Sequence, residues 1–307
     1  MAILHITNGD VLTSRLQALN VKGIFFTWRE MLCEGPIEGR IGSSEFIASR
    51  KLFLKNTYDI EVRHYEEKFI SQFSLLDDST VYDAIVLCFE YDLFCHINLL
   101  GALQLLEKHN RRESIHLVCS GWLEHIDGLK GLSELTDEQL LSHYNKRVQL
   151  TTQDRELGKQ VWNNYISKDP LALSTEMARG TQFEYLGNCI SAHKSRFPSK
   201  QNGLNTLENQ ILKLLDTYEI TSKHHLLGYA LNYQGYYGYG DMQISRMIDR
   251  LSPFYVHEGD RLVLSELGIK VLACEEKTSH LETDFIFGGA RKYDFTYERD
   301  SHNLEKK

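Results

Sequence analysis

The sequence predicts an α/β protein with an N-terminal doubly wound, mostly parallel sheet over residues 1–128, a helical connector over 129–198 and a C-terminal winged-helix-like α+β domain over 199–307. Three observations carry that reading. Short continuous apolar runs alternate with amphipathic helical segments up to about residue 128, the pattern of a parallel sheet covered on both faces. The strand signal then disappears as far as Pro198. Beyond it, helical stripes lead into a strand and a last helix, the outline of a winged helix-turn-helix.

Ala2 to Thr7 is an apolar run ending in the turn Asn8-Gly9-Asp10. Val11, Leu12, Leu16 and Leu19 then share one helical face, and Gly23 stops that helix. Ile24 to Trp28 is a second buried strand, Glu45 to Lys68 is helical and heavily charged, and Val81 to Phe89 is the strongest strand. A helix from Leu93 to Lys108 and a strand from Ile115 to Cys119 complete the first domain. In the connector, Thr136 or Asp137 caps a helix start, and Gln153 to Tyr165 forms a second helix. Asp169-Pro170 breaks that helix, and the residues after Pro170 start a third. Past Pro198, Thr206 to Leu215 carries an apolar stripe, and Met242 to Leu251 is a helix with Asp241 as its N-cap. Leu262 to Leu264 is a strand, Ser265 to Leu272 a final helix, and the polar tail from Glu298 is expected to fray.

Composition bounds the function. With 42% hydrophobic and 25% charged residues the chain can bury a core. A net charge of −8 argues against a generally phosphate-coating protein. No apolar run approaches the ~18 residues of a membrane span, and the first residues lack the basic and long apolar regions of a signal peptide. Six cysteines without a Cys-x-x-Cys pair read as reduced thiols in a cytoplasmic protein.

Open α/β sheets bind ligands beyond the carboxyl ends of their strands. The polar residues there include Asn8, Gly9 and Asp10 after the first strand, Glu30 and Glu34 after the second, Glu90 and Asp92 after the third, and Ser120 after the fourth. Converging carboxylates repel, so they hold a hard cation or a raised-pKa acid. In that reading Asp10, Glu30 and Asp92 hold Mg²⁺ or Mn²⁺, Glu90 or Glu34 is the general base, and Asn8, Gly9 and Trp28 meet a phosphate-bearing or nucleotide-like substrate. The plainer alternative makes Asp10 and Asp92 helix caps, and Glu30 and Glu34 surface partners of Arg29 or Arg40. Neither a Gly-x-Gly-x-x-Gly nor a Gly-Lys-Ser/Thr occurs, so nicotinamide, flavin and P-loop readings lack their fingerprint. Cys88, Cys95 and His96 do not have a usual zinc spacing and read as buried residues, and His116, Cys119 and His125 fail the same way. No Gly-x-Ser-x-Gly is present.

The alternative function is a ligand-responsive regulator that touches DNA or a partner protein through the C-terminal domain. Gln243, Arg246 and Arg250 on the candidate recognition helix would meet bases, with the tyrosines of Gly235 to Gly240 stacking beside them. Six Lys and Arg against eight Asp and Glu over Gly203 to Leu272 weigh against nucleic acid and toward packing or homodimerisation.

Several blocks resemble a bacterial family of unassigned function, domain of unknown function 1835 with its C-terminal companion, domain of unknown function 3658. They are His5 to Asp10, Trp28 to Pro36, Phe89 to Phe94 with Asn98-Leu99-Leu100, the surroundings of Gln153, Trp162 and Asp169-Pro170, and then Phe197-Pro198-Ser199, Asn202 to Glu208, Gly240-Asp241 and Phe287-Gly288-Gly289. The resemblance marks Asn8, Asp10, Trp28, Glu30, Glu34, Glu90 and Asp92 as polar-motif positions and implies no activity. Tyr91 departs from the family pattern, which often has His or another polar residue there.

Overall fold

The computed structural model describes residues 2–77, 81–123, 128–278 and 285–307. The first third contains β1 (Ile3–Asn8), α1 (Asp10–Ala18), β2 (Ile24–Trp28), β3 (Gly35–Pro36), α2 (Ser44–Tyr58), α3 (Val62–Lys68), β4 (Ala84–Cys88), α4 (Leu93–Lys108) and β5 (Ser114–Val118). Next come α5 (Asp137–Asn145), β6 (Val148–Gln149), α6 (Thr152–Tyr165) and α7 (Leu186–Lys194). The last part holds α8 (Thr206–Thr217), α9 (Lys223–Tyr233), α10 (Asp241–Arg250), β7 (Tyr255–Glu258), β8 (Arg261–Leu264), α11 (Glu266–Leu272), β9 (Ile286–Gly288), β10 (Ala290–Arg291), β11 (Phe295–Glu298) and β12 (Asn303–Lys306). The fold is mixed α/β, with eleven α-helices among the described residues.

The main sheet has the order β2-β1-β4-β5-β6, parallel except for β6. The chain leaves β1 for β2 on one side and reaches β4 on the other, so the topological switch point lies between β1 and β4. Period-2 alternation sorts the side chains onto two faces. Leu4, Ile6, Phe26, Trp28, Ile85 and Leu87 enter the core that includes Leu99, Leu100 and Leu103 of α4. Val86, Cys88 and Val118 pack with Leu12 and Leu16 of α1 and Leu140 of α5. Both faces are covered, which is why the strands read as continuous apolar runs.

The structure differs from the sequence reading at several places. The charged stretch 45–68 is two helices, because Asp59 takes a left-handed conformation (φ 53°) that ends α2. The sheet runs past residue 128, since β6 adds an antiparallel edge strand at Val148–Gln149. After Pro170 come only two short 3₁₀ turns, and the next helix begins at Leu186. Asp241 is the first residue of α10, and Gly240 is its N-cap, with Gln243 accepting from the Gly240 N–H at 2.8 Å. Lys223–Tyr233, which the sequence reading did not assign to a helix, form α9. The tail does not fray as far as Lys306, because β12 pairs antiparallel with β11. Thr136 is the cap of α5, with a reciprocal Gln139 contact. Among the described residues, no helix is long and apolar enough to cross a membrane.

The C-terminal part closes back onto the first. β9 pairs in parallel with β3, bringing Phe287 opposite Gly35. A small aromatic core of Phe197, Phe285, Phe287, Phe295 and Tyr297 has Phe53 of α2 against it.

Candidate metal centre

The five sequence-predicted acids do not converge as one group. Asp10 lies in the first turn of α1 with its side chain 67% exposed, and its carboxylate pairs with Arg29 at 2.5 Å. Glu30 sits in the loop after β2, and its side chain is fully buried. It accepts from Arg50 Nε at 3.0 Å and Nη2 at 2.8 Å, from the Tyr65 hydroxyl at 2.8 Å and from the Met31 N–H at 2.8 Å. Arg50 also donates to the carbonyls of Met31, Glu34 and Pro36, so this pair pins the whole 30–36 loop. Glu34 is buried and taken by Arg246 Nη2 at 3.0 and 3.1 Å and by the Tyr58 hydroxyl. Asp10 and Glu30 therefore do not join Asp92 around a cation, and Glu34 is not a free base. All three are engaged in ion pairs whose partners lie 19 or more residues away in sequence.

The substrate residues divide as well. Trp28 is 1% exposed and packed against Phe26 and Phe69, so no ligand reaches it. The Gly9 N–H already donates to the Trp28 carbonyl at 3.1 Å and is not available to a phosphate. Asn8 remains at the switch point: its amide donates to Cys95 Sγ at 3.0 Å, and its Oδ1 accepts from Asn98 at 3.0 Å.

What does converge is Glu90, Asp92 and Cys95, whose ligand atoms all lie within 4.8 Å of one another. Among the described residues this is the only such His, Cys, Asp and Glu grouping. It is built by the end of β4 and the start of α4. Asp92 is the N-cap, its Oδ1 accepting from the Cys95 N–H at 2.8 Å, which places residue 95 one turn along on the same side. Glu90 Oε1 accepts from both the N–H and the hydroxyl of Ser133, each at 2.8 Å. The cap reading and the site reading thus meet in the same residue, Asp92.

The electrostatics are those of crowded buried acids. Burial, then the neighbouring Glu90 charge, pushes Asp92 up to about 7. Burial raises Glu90 despite its two bonds from Ser133. The Cys95 thiol is held well above its usual range by burial and by both acids. His96 accompanies the group, with Nδ1 beside the Asp92 carbonyl at 3.1 Å and burial lowering it to about 4, so it is neutral. A divalent cation would relieve the repulsion and displace the thiol proton. The two carboxylates suit a hard ion such as Mg²⁺ or Mn²⁺, and the sulfur adds a ligand favoured by a softer ion such as Zn²⁺.

The gap between Cys88 and Cys95 gives no ligand spacing, and so hides Cys95. Cys88 faces the opposite side of the sheet, in the smaller core. The informative spacing is Asp92-x-x-Cys95, one helical turn across an N-cap. His125 lies outside the described residues.

A loop of the C-terminal part covers this centre. The N–H groups of Leu93 and Phe94 donate to the carbonyls of Tyr236 (2.8 Å) and Tyr237 (3.2 Å). Gly238, at φ +66°, lies so close that a Cβ there would overlap the Asp92 carboxyl. The tyrosines are packed rather than presented to bases: Tyr237 and Tyr239 are buried, and the Tyr237 hydroxyl meets Ser195 Oγ at 2.6 Å. The residues assigned to nucleic acid also point inward. Gln243 is buried, Arg246 pairs with Glu34, and Arg250 pairs with Glu208 at 3.5 Å. The exposed residues of α10 are Asp241, Met242 and Asp249, which offer no cation to a phosphate backbone.

No family model matches the chain, and no curated protein matches it in sequence. Among solved structures it is similar to the DNA-binding, cleavage and re-ligation domain of Plasmodium falciparum topoisomerase II, at 12% identity and a TM-score of 0.44. That likeness covers 81% of this chain and 42% of the other, so the chain spans less than half of its length. At this level it assigns neither a fold family nor an activity.

Proposed function

We propose that the protein is a divalent-metal-dependent enzyme or sensor for a phosphate-bearing small molecule, with Glu90, Asp92 and Cys95 as the metal seat. The observation that carries this reading is the approach of those three ligand atoms to within 4.8 Å at the switch point of the sheet. A bound cation supplies positive charge to which a phosphate oxygen is drawn. The chain's own residues do the rest. Ser133 holds Glu90 in place, Asp92 exchanges its proton near neutral pH, and Asn8 stands against Cys95 to orient what enters. Because the Gly235–Gly240 loop rests on Asp92, occupancy of the seat bears directly on the C-terminal part, which favours sensing as much as catalysis. The resemblance to the domain of unknown function 1835 family marks three of the same positions, Asn8, Glu90 and Asp92. A bacterial cytoplasmic setting goes with that resemblance, and all six cysteines are free.

Equilibrium dialysis against Mn²⁺ tests the seat. Wild type, Asp10→Asn and Glu30→Gln should bind one ion per chain, whereas Asp92→Asn should bind at least tenfold more weakly. Equal binding by Asp92→Asn sinks the assignment.

A second reading keeps a winged-helix regulator. It is supported by the order α8, α9, α10 and the β7–β8 hairpin, with Ile220 bridging antiparallel to Leu262. The acidic outer side of α10 favours a protein partner over DNA. Binding to duplex DNA at low salt would reverse that preference.

A further inference from the structure

A cleft of about 430 Å³ opens at the carboxyl end of β5, beside the metal seat but not part of it. That is within the ~300–1,000 Å³ range of small-molecule sites. Its lining includes Trp122, His143, Lys146, Arg147, Glu184 and Tyr185. We propose that this cleft binds a planar aromatic anion of the nucleoside monophosphate class, with its ring on the Trp122 indole and its phosphate against Lys146 and Arg147.

The aromatic half of the argument is exposure. Of the three tryptophans, Trp28 and Trp162 are 1% and 4% exposed, whereas Trp122 is 60% exposed at the cleft. An indole left in water at the mouth of a polar cleft offers a stacking platform, which is worth ~1–3 kcal/mol per base in nucleic-acid sites. The backbone beneath it is tied down, because the Trp122 backbone N–H donates to the Tyr185 hydroxyl at 3.0 Å. Tyr185 in turn packs edge-on to Tyr91, three residues past the end of β4.

The anionic half is charge. Lys146 has no carboxylate partner among the described residues, and Arg147 bonds only the Tyr144 carbonyl (3.0 Å) and stacks on that ring. Burial lowers His143, so at neutral pH it is an uncharged partner. Among the described residues Glu184 is the one carboxylate in the lining. Lys146, Arg147 and Glu184 together carry one net positive charge, and Glu184 is an acceptor for a ribose hydroxyl or an exocyclic amine. Position agrees with chemistry, since ligands of open α/β sheets lie beyond the carboxyl ends of the strands.

The cleft is a second site that goes beyond the proposed function, and it does not use the cation. The two are separated by working in EDTA with the full chain. Adenosine monophosphate is titrated while intrinsic tryptophan fluorescence is followed, with adenosine and inorganic phosphate as comparisons. Wild type and Asp92→Asn should both show saturable quenching, at least tenfold weaker for adenosine or phosphate alone. Lys146→Ala/Arg147→Ala should quench with about tenfold weaker affinity, and Trp122→Phe should lose the signal while calorimetry shows weakened binding. The proposal is overturned by no saturable change up to about 5 mM, by quenching that persists in Trp122→Phe, or by unchanged affinity in the double variant. Loss of binding in Asp92→Asn alone would also overturn it, by tying the ligand to the seat.

Discussion

Glu34 and Arg246 lie 212 positions apart in sequence, yet Arg246 Nη2 reaches both Glu34 carboxylate oxygens at 3.0 and 3.1 Å. The guanidinium also lies 4.5 Å above the Phe285 ring. Residue types that suggested a catalytic base and a DNA contact instead neutralise each other where α10 meets the loop after β2. The ion pair binds the C-terminal helices to the N-terminal sheet.

Breaking one side of that pair should cost more than removing both. Arg246→Met leaves Glu34 buried beside Tyr58 and is expected to destabilise by about 3 kcal/mol. Glu34→Gln/Arg246→Met should recover at least half of that loss in urea denaturation. Strictly additive losses would mean that the two residues do not couple.

Glu30 and Arg50 are both fully buried. Glu30→Gln removes the charge that Arg50 faces, and a loss of about 3 kcal/mol is expected with unchanged Mn²⁺ affinity. A change in metal affinity without loss of stability would return Glu30 to the site.

Gly238 and Gly235 have similar positive φ values, +66° and +63°, but only Gly238 abuts Asp92. Gly235→Ala should cost about 1 kcal/mol from the backbone alone. Gly238→Ala should cost at least about 2 kcal/mol, because its Cβ must displace the Asp92 carboxyl. Thermal unfolding of the two variants decides the point, and equal losses would remove the contact.

Stability should depend on pH in two opposing ways. His5 and His96 are lowered by burial to about 4 from 6.5, so the unfolded chain binds more protons below pH 6.5. Their contribution is complete above 6.5 and is lost as pH falls toward 4. Asp92 is raised to about 7 from 3.8, so its contribution is present below 3.8 and lost as pH rises through 7. The two imidazoles outweigh the one carboxyl, and these groups should leave the wild type on the order of 2 kcal/mol less stable at pH 4 than at pH 7. Asp92→Asn should gain on wild type by on the order of 2 kcal/mol between pH 5 and pH 8. Urea denaturation at these values checks both signs.

The strands were legible because burial on both faces writes them as unbroken apolar runs, Ile24–Trp28 most plainly. Thr136 announced α5 by its capping box. The two-residue β6 and the polar β12 are too short or too hydrophilic to leave a periodic trace. Gly, His and Tyr are weak helix formers, which hid α9 until packing against α8 and α10 is seen. Strand-end placement singled out Asn8, Glu90 and Asp92, which the fold brings together with Cys95. It also collected Asp10, Glu30 and Glu34, since their partners Arg29, Arg50 and Arg246 are set by tertiary contact.

The central claim is that a cation competes with a proton on Asp92. A thermal-unfolding titration with Mn²⁺ at pH 6 and pH 8, on wild type and Asp92→Asn together, tests it most directly. The account predicts a wild-type stabilisation that approaches about 2.7 kcal/mol at 100 times the dissociation constant. Affinity should be markedly tighter at pH 8, where Asp92 has lost its proton, and the variant should be stabilised much less than wild type at the same concentrations, at either pH. Equal shifts in the two proteins, or a wild-type affinity indifferent to pH, would contradict it.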